Sequence, residues 1–419
     1  MLKDFIRKIN RKGFFHLIFS NFLVQFLGFG LVIFLGKILP PADIGVIKTV
    51  QSYAAFFIVI GTFGYNTSLL KIASERRPIY EKRALLFLSL KKVTLFSILS
   101  IVLLNLLLYF GYLTNSEKVR FWLEKYSVVI LFASFGYIFF AYFQALKKIK
   151  KVAKLQAIIR IIFIILIFIF TYFYGLSGLV YSTIGSYIVG TLIYLKSIKY
   201  FKIKRKIVKN SEKYNNYAFF AFLSTLLGVF SQNVDIYLLD YLLVDEETVG
   251  FFSICLIFFL SATVINGTVQ TIVTPYFSYN ENNYEWLKKT LIKYQLLMVP
   301  ISIVIAISLY IAAYLLVEYY YGNGYDVVLS ILPFLLIKYV CWSTYSITGG
   351  ALVGLGVIKL PFFVSLVLTS FGLLLSYYFY FDYGILGIIY GGIIRTIINS
   401  MTTNYIFFYT IRKKKNAIN

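Results

Sequence analysis

Cysteine, histidine and acid are scarce in this 419-residue chain, which has two Cys, one His and 17 Asp plus Glu. Cys255 and Cys341 both fall inside apolar runs. They make no disulfide framework and no metal motif, and read as buried free thiols. His16 stands at the edge of an apolar run and suits an interface better than a ligand set. Acid–base catalysis needs placed His, Asp or Glu, and almost no carboxylate falls within the apolar runs. No P-loop occurs, which argues against direct ATP hydrolysis. A membrane polymerase or ligase would also carry a large external loop, and none is expected here. The chain is therefore not read as an enzyme.

What is abundant is apolar. Hydrophobic residues make up 60% of the chain and charged ones 14%, against roughly 45–50% and 25% in soluble domains. Continuous apolar runs recur to the end of the sequence. About 20 such residues cross the hydrocarbon core of a bilayer, where the backbone must satisfy its own hydrogen bonds. Continuous rather than alternating runs select helices. The expected architecture is an all-α integral membrane protein with about twelve spans. They fall near 14–36, 46–69, 93–113, 127–145, 155–174, 177–197, 217–240, 250–274, 291–317, 327–349, 361–380 and 385–410. The basic opening MLKDFIRKINRK and the run after it read as an uncleaved first span, not a signal peptide.

The net charge of +24 is topogenic and no nucleic-acid signal. Of the 41 basic residues, 33 fall at the termini and in the loops near 71–92, 146–154, 196–215, 275–290 and 350–360. Four, Lys37, Lys118, Arg120 and Lys125, fall in the opposite loops. This bias places both termini in the cytoplasm. The basic runs at 147–154 and 196–206 can also attract anionic lipid headgroups. Stretches near 84–92 and 200–208 suit short amphipathic helices at the inner surface. The longest external loop is expected near 114–126.

An internal repeat divides the chain. GLSGLVY (Gly175–Tyr181) matches GILGIIY (Gly384–Tyr390). QAL (Gln144–Leu146) aligns with GAL (Gly350–Leu352), and Leu39, Asp43 and Gly45 echo Leu243, Glu247 and Gly250. The offset runs from 204 to 209 residues. Six spans per repeat, an even number, gives two parallel six-helix halves with the substrate site between them. The lobes are expected at 1–200 and 216–419, joined by a basic cytoplasmic linker at 201–215.

Charges inside spans are costly and mark function. Lys338 and Arg395 fall near the centres of spans ten and twelve. Trp342 and Tyr345 follow Lys338 on one helical face, and Asn399 shares a face with Arg395. A cation beside flat rings suits an anionic glycan. Lys48 and Arg160 lie nearer the span ends and can snorkel. Ser224, Gly228, Ser231, Gln232 and Asp235 form a polar stripe on span seven. Asp235 can bind H+ or Na+ or hold an ion pair, whereas Asp240 lies close enough to the outer interface to be set aside. Span one has a matching stripe, Asn21, Gln25 and Gly28. Gln51 and the pair Asn266 and Gln270 complete the polar set expected to line a central cavity.

The opening, with ILPPADIG (38–45) and a span ending GTFGYNTSLL (61–70), resembles polysaccharide-biosynthesis flippases of the Wzx type. These are members of the multidrug/oligosaccharidyl-lipid/polysaccharide exporter superfamily. The stretch SQNVDIYLLDYLLVDEETVGFFSI (231–254) resembles that family's seventh and eighth spans. The resemblance implies MATE-like V-shaped bundles that move an undecaprenyl-diphosphate-linked oligosaccharide from the inner to the outer leaflet by alternating access. The setting would be O-antigen or capsule assembly in the bacterial cytoplasmic membrane, alongside other polysaccharide-assembly membrane proteins. It assigns the diphosphate and acidic sugars to Lys338 and Arg395, and next to Lys48 and Arg160. No cofactor is expected beyond a coupling ion. The main alternative is an ion-coupled multidrug or metabolite antiporter of the same superfamily.

Overall fold

The structure is a computed structural model that describes residues 28–416, apart from 29, 32, 76, 199–210, 323 and 358. Twelve helices carry labels here: α1 (Pro41–Thr62), α2 (Tyr65–Ser74), α3 (Ile79–Tyr109), α4 (Glu117–Tyr126), α5 (Val129–Ala145), α6 (Ile149–Ser197), α7 (Ser211–Tyr241), α8 (Glu246–Tyr279), α9 (Tyr284–Leu316), α10 (Asp326–Gly354), α11 (Lys359–Tyr383) and α12 (Ile385–Asn416). Among the described residues, nine helices are long and apolar enough to cross a bilayer. The α4–α5 pair, bent by 48°, makes a tenth if read as one span. The expected first span lies mostly outside the described residues, as do His16, Asn21 and Gln25.

Three expectations need correction. The stretch 84–92 is no separate surface helix, because it continues without a break into α3. The presumed external loop at 114–126 is mostly the short helix α4, whose N-terminus Ser116 caps by accepting from the Val119 N–H at 3.3 Å. The second span starts earlier, at Pro41, whose fixed φ and missing N–H suit a first helical turn. That span ends at Thr62, where Phe63 (φ 42°) and Gly64 (φ 69°) reverse the backbone before α2.

The chain forms two compact units, Met1–Glu247 and Thr248–Asn419. The expected linker at 201–215 lies largely outside the described residues, and α7 packs on α1 and α2 within the first unit. In the first unit, Tyr65, Leu69, Leu85, Phe139 and Tyr142 share a core. In the second, Phe277, Leu287, Leu291, Leu352 and Phe407 do so.

Helix α3 shows how such helices pack. Its buried positions include Ser89, Val93, Ser97, Ser100 and Leu104, while Leu95, Ile98, Leu99, Val102 and Leu106 are exposed. Lipid tails solvate leucine as well as a protein core does, so small residues bring the helices together. Gly61 of α1 lies at this crossing. A Cβ there would stand 2.9 Å from Ser97 Oγ and 3.0 Å from Ser134 Oγ. Ser100 Oγ donates to the Phe57 carbonyl at 2.7 Å.

The repeat has the same local geometry in each unit. Helix α6 runs for 49 residues, about 74 Å if straight and more than twice the roughly 30 Å hydrocarbon core. Gly175 breaks it at φ 56°. Gly384, at φ 58°, parts α11 from α12. Three residues on, a Cβ at Gly178 would stand 1.9 Å from the Phe170 carbonyl oxygen, and one at Gly387 2.1 Å from that of Phe379. In each half the first glycine supplies the left-handed turn and the second admits a carbonyl from eight residues earlier. The QAL–GAL pairing slips by three residues. The equivalent helix ends are Leu146 with Lys147 (φ 58°) and Leu355 with Gly356 (φ 75°). Asp43 and Glu247 stand in the first turns of α1 and α8, where a helix favours negative charge.

Gly64 tests this account of the first unit. A Cβ on it would stand 2.0 Å from the Ala218 carbonyl oxygen of α7, at a φ only glycine adopts freely. Gly64→Ala is expected to destabilise the protein by about 2 kcal/mol or more. A thermal-unfolding midpoint of the purified variant equal to that of the parent would contradict the packing described.

Candidate functional site

Every charge inside these helices has to be matched by something other than bulk water. In the first unit, Arg160 lies on the first arm of α6. Its guanidinium lines a cavity of about 320 Å³ bounded by α5 and both arms of α6. Rings of Tyr137, Phe163 and Tyr187 share the lining with Gln156. The guanidinium carbon sits 5.2 Å from the centre of the Phe163 ring. Its buried Nε finds no hydrogen-bond partner among the described residues. Arg160 is therefore turned inward and does not reach for an interface. Of the span-one stripe, Gly28 meets it, since a Cβ there would stand 2.6 Å from Nη2. Glycine at 28 leaves room for the charge.

In the second unit, Lys338 of α10 is 6% exposed. Its ammonium approaches the Phe259 ring of α8 at 6.0 Å. It also lies against Gly392 of α12, where a Cβ would stand 2.7 Å from Nζ. Two turns along, Asn399 Nδ2 donates to the Tyr345 hydroxyl at 3.0 Å, joining α12 to α10. Trp342 is half-buried on the same helix. Arg395 is half-buried and lays its methylenes over Gly372 of α11, where any Cβ would come within 2.4 Å of its Cδ. The ring beside the Lys338 ammonium is thus Phe259 of α8, while Tyr345 is bonded to Asn399.

Other expected site residues have structural duties. Asn266 is fully buried, and both Nδ2 hydrogens are engaged, with Ser343 Oγ at 2.7 Å and Ser346 Oγ at 3.0 Å. Its Oδ1 accepts from the Tyr339 hydroxyl at 3.1 Å. Gln270 Nε2 donates to the Ser346 carbonyl at 2.6 Å. These two residues fasten α8 to α10. Gln295, Thr348 and Asn404 likewise tie α9, α10 and α12, with contacts of 2.7–2.8 Å. On the first unit, Gln51, Ser224, Gly228 and Gln232 are exposed, while Lys48 is half-buried. Asp235 is buried at 6% exposure. Asp240, set aside from sequence as interfacial, is buried too, at 8%.

Sequence reasoning missed Tyr137, Phe163, Tyr187 and Phe259. Aromatics make up 20% of the chain, so none stands out within an apolar run. Only the placement of Arg160 and Lys338 singles them out.

The chain matches the family model described as polysaccharide biosynthesis protein over residues 11–281. A search of curated proteins finds no match. Among solved structures, it is similar to a multidrug resistance MATE family transporter of the MOP superfamily in an inward-facing conformation. That match has a TM-score of 0.76 at 16% identity and covers 94% of this chain and 96% of that one. It is also similar to the lipid II flippase MurJ in an inward closed conformation, with a TM-score of 0.75 at 17% identity over 93% and 86%. A third is a MOP superfamily transporter from Pyrococcus furiosus with a binding pocket of reverse polarity, at a TM-score of 0.66 and 17% identity over 95% and 96%. At such identities these likenesses speak for the fold. The sequence match spans well over half the chain, and the protein therefore belongs to the polysaccharide biosynthesis protein family, as a multi-pass, all-helical membrane protein.

Proposed function

We propose that the protein is a flippase for polyprenyl-diphosphate-linked oligosaccharides. It moves the headgroup from the inner to the outer leaflet of the bacterial cytoplasmic membrane by alternating access, during O-antigen or capsule assembly. The observation that carries this reading is Arg160, half-buried in an aromatic cavity, with a buried Nε that has no hydrogen-bond partner among the described residues. An anion is the ligand class that such a group lacks. Charge-assisted bonds from guanidinium to phosphate are about twice as strong as neutral ones, and the surrounding rings offer apolar faces to a sugar. At about 320 Å³ the cavity is at the lower end for ligand sites. It suits the diphosphate with an adjoining sugar, not a whole repeat unit. Lys338 and Arg395 supply further positive charge, and the exposed Gln51 and Gln232 suit glycan hydroxyls. The polyprenyl tail stays in lipid, because each CH2 moved into water would cost about 0.8 kcal/mol.

The likeness to multidrug MATE transporters supports a second reading, an ion-coupled antiporter of organic cations, with Asp235 as its carboxylate. The buried Lys338 and the half-buried Arg160 weigh against cationic cargo. In either reading H+ or Na+ is the expected energy source, with anionic lipids and other assembly proteins as neighbours in the membrane.

Two outcomes follow in cells. A deletion strain is expected to accumulate lipid-linked repeat units in the inner leaflet. Normal outward translocation there, with no second transporter present, would refute the flippase reading. Lys338→Ala and Arg395→Ala, at parental protein levels, are expected to abolish surface glycan export, and full export in both would remove them from the site.

Arg160→Met separates binding from folding. Replacing a poorly paired, partly buried charge with an apolar chain of similar length is often neutral or stabilising. The variant is expected to keep or raise its melting temperature while export falls at least tenfold. A lowered melting temperature with normal export would make Arg160 a structural residue.

A further inference from the structure

A hydrogen count at the end of α7 does not close for an ionised Asp240. The Tyr53 hydroxyl of α1 lies 2.6 Å from the Leu113 carbonyl oxygen and 2.7 Å from Asp240 Oδ2. Both distances are those of full O–H···O bonds. A phenol has one hydrogen. Leu113 offers only a carbonyl oxygen at that contact, so the Tyr53 hydrogen belongs to it. The second bond then needs a hydrogen from the carboxyl. The other oxygen, Oδ1, accepts from Thr114 Oγ1 at 2.9 Å, and Thr114 Oγ1 itself accepts from the Ser116 N–H at 3.2 Å. The arrangement closes only with a proton on Oδ2, donated to the Tyr53 oxygen.

The surroundings agree. Tyr53, Thr114 and Asp240 are all less than a tenth exposed, and no cation pairs with Asp240 among the described residues. Helix α7 packs on α1 and α2. Their charged groups are Asp43 and Lys48, ten and five residues before Tyr53, and Lys71, exposed on α2. On α7 itself Asp235 is five residues back, and the Tyr237 ring lies 5.2 Å from that of Tyr53. From the opening of α8, the half-exposed Glu246 accepts from Ser116 Oγ at 2.8 Å. Ser116 thus connects the buried carboxyl, through Thr114, to an acid that water reaches.

We propose that Asp240 is a proton-binding site, occupied in this conformation, and that its proton is released and rebound in each transport cycle. On release the proton leaves Oδ2 for water. The carboxylate then takes the Tyr53 hydrogen, and the Leu113 carbonyl loses its partner. Protonation is thereby tied to how the 110–116 connection is held against α1 and α7. The role in transport rests on the flippase reading, whereas the protonation itself does not.

The test is infrared difference spectroscopy of the purified full-length protein in lipid nanodiscs at neutral pH. Parent minus Asp240→Asn should show a lost carboxylic acid C=O band. A lost carboxylate band would overturn the proposal. If Asp240→Asn does not fold, Tyr53→Phe decides, since it removes the acceptor of that proton. The C=O band should shift in this variant, and an unshifted acid region would overturn the assignment. In cells, Asp240→Asn at parental levels should lower glycan export at least tenfold. Parental export with parental sensitivity to a protonophore would overturn the coupling role. The spectroscopic arm needs no substrate, so it stands or falls apart from the flippase reading.

Discussion

A bilayer core supplies no hydrogen bonds and solvates no charge. The backbone answers by closing its own bonds in helices, and here the described residues are overwhelmingly helical. Polar side chains answer in pairs. Asn266 is matched by Ser343, Ser346 and Tyr339, and Gln295 by Thr348 and Asn404. Once those bonds are assigned, the groups still awaiting a partner become informative. The Arg160 Nε in its cavity, without a hydrogen-bond partner among the described residues, is the clearest of these.

The same constraint explains where glycine appears. With no water-driven association between helices, close approach is the main source of packing energy. Gly61 lets α1, α3 and α5 meet, and Gly64 lets α2 pass the Ala218 carbonyl. Gly28, Gly372 and Gly392 do something different, making room for Arg160, Arg395 and Lys338. Three cations thus each rest on a residue without a side chain, which keeps long charged chains ordered beside neighbouring helices.

Much of the fold was legible in the sequence because span length is set by bilayer thickness. The Gly175–Tyr181 and Gly384–Tyr390 echo was legible for a similar reason, since a left-handed turn and a carbonyl contact both demand glycine. The break at Phe63 was less legible, because a phenylalanine at positive φ carries no sequence signal. At the candidate site, Lys338, Arg395 and Arg160 stood out as charges in apolar runs. Their partners did not, because Phe259 and Tyr137 look like any other aromatic in lipid-facing sequence. Asn266 and Gln270 looked like cavity residues, since an i, i+4 polar pair has the same spacing whether it faces a ligand or another helix. Asp240 was placed by its distance from a span end, which says nothing about the loop at 110–116 that covers it.

The proposed role, carriage of a lipid-linked anionic glycan across the membrane, rests on family membership together with the cations held within the helices. The most direct measurement uses vesicles reconstituted with the purified protein and a fluorescently tagged polyprenyl-diphosphate oligosaccharide. A membrane-impermeant reductant is then added outside. The account predicts that nearly all the tag becomes reducible in vesicles holding the parent protein, and only the outer-leaflet share in empty vesicles. Equal protection of the inner-leaflet tag in both would contradict it.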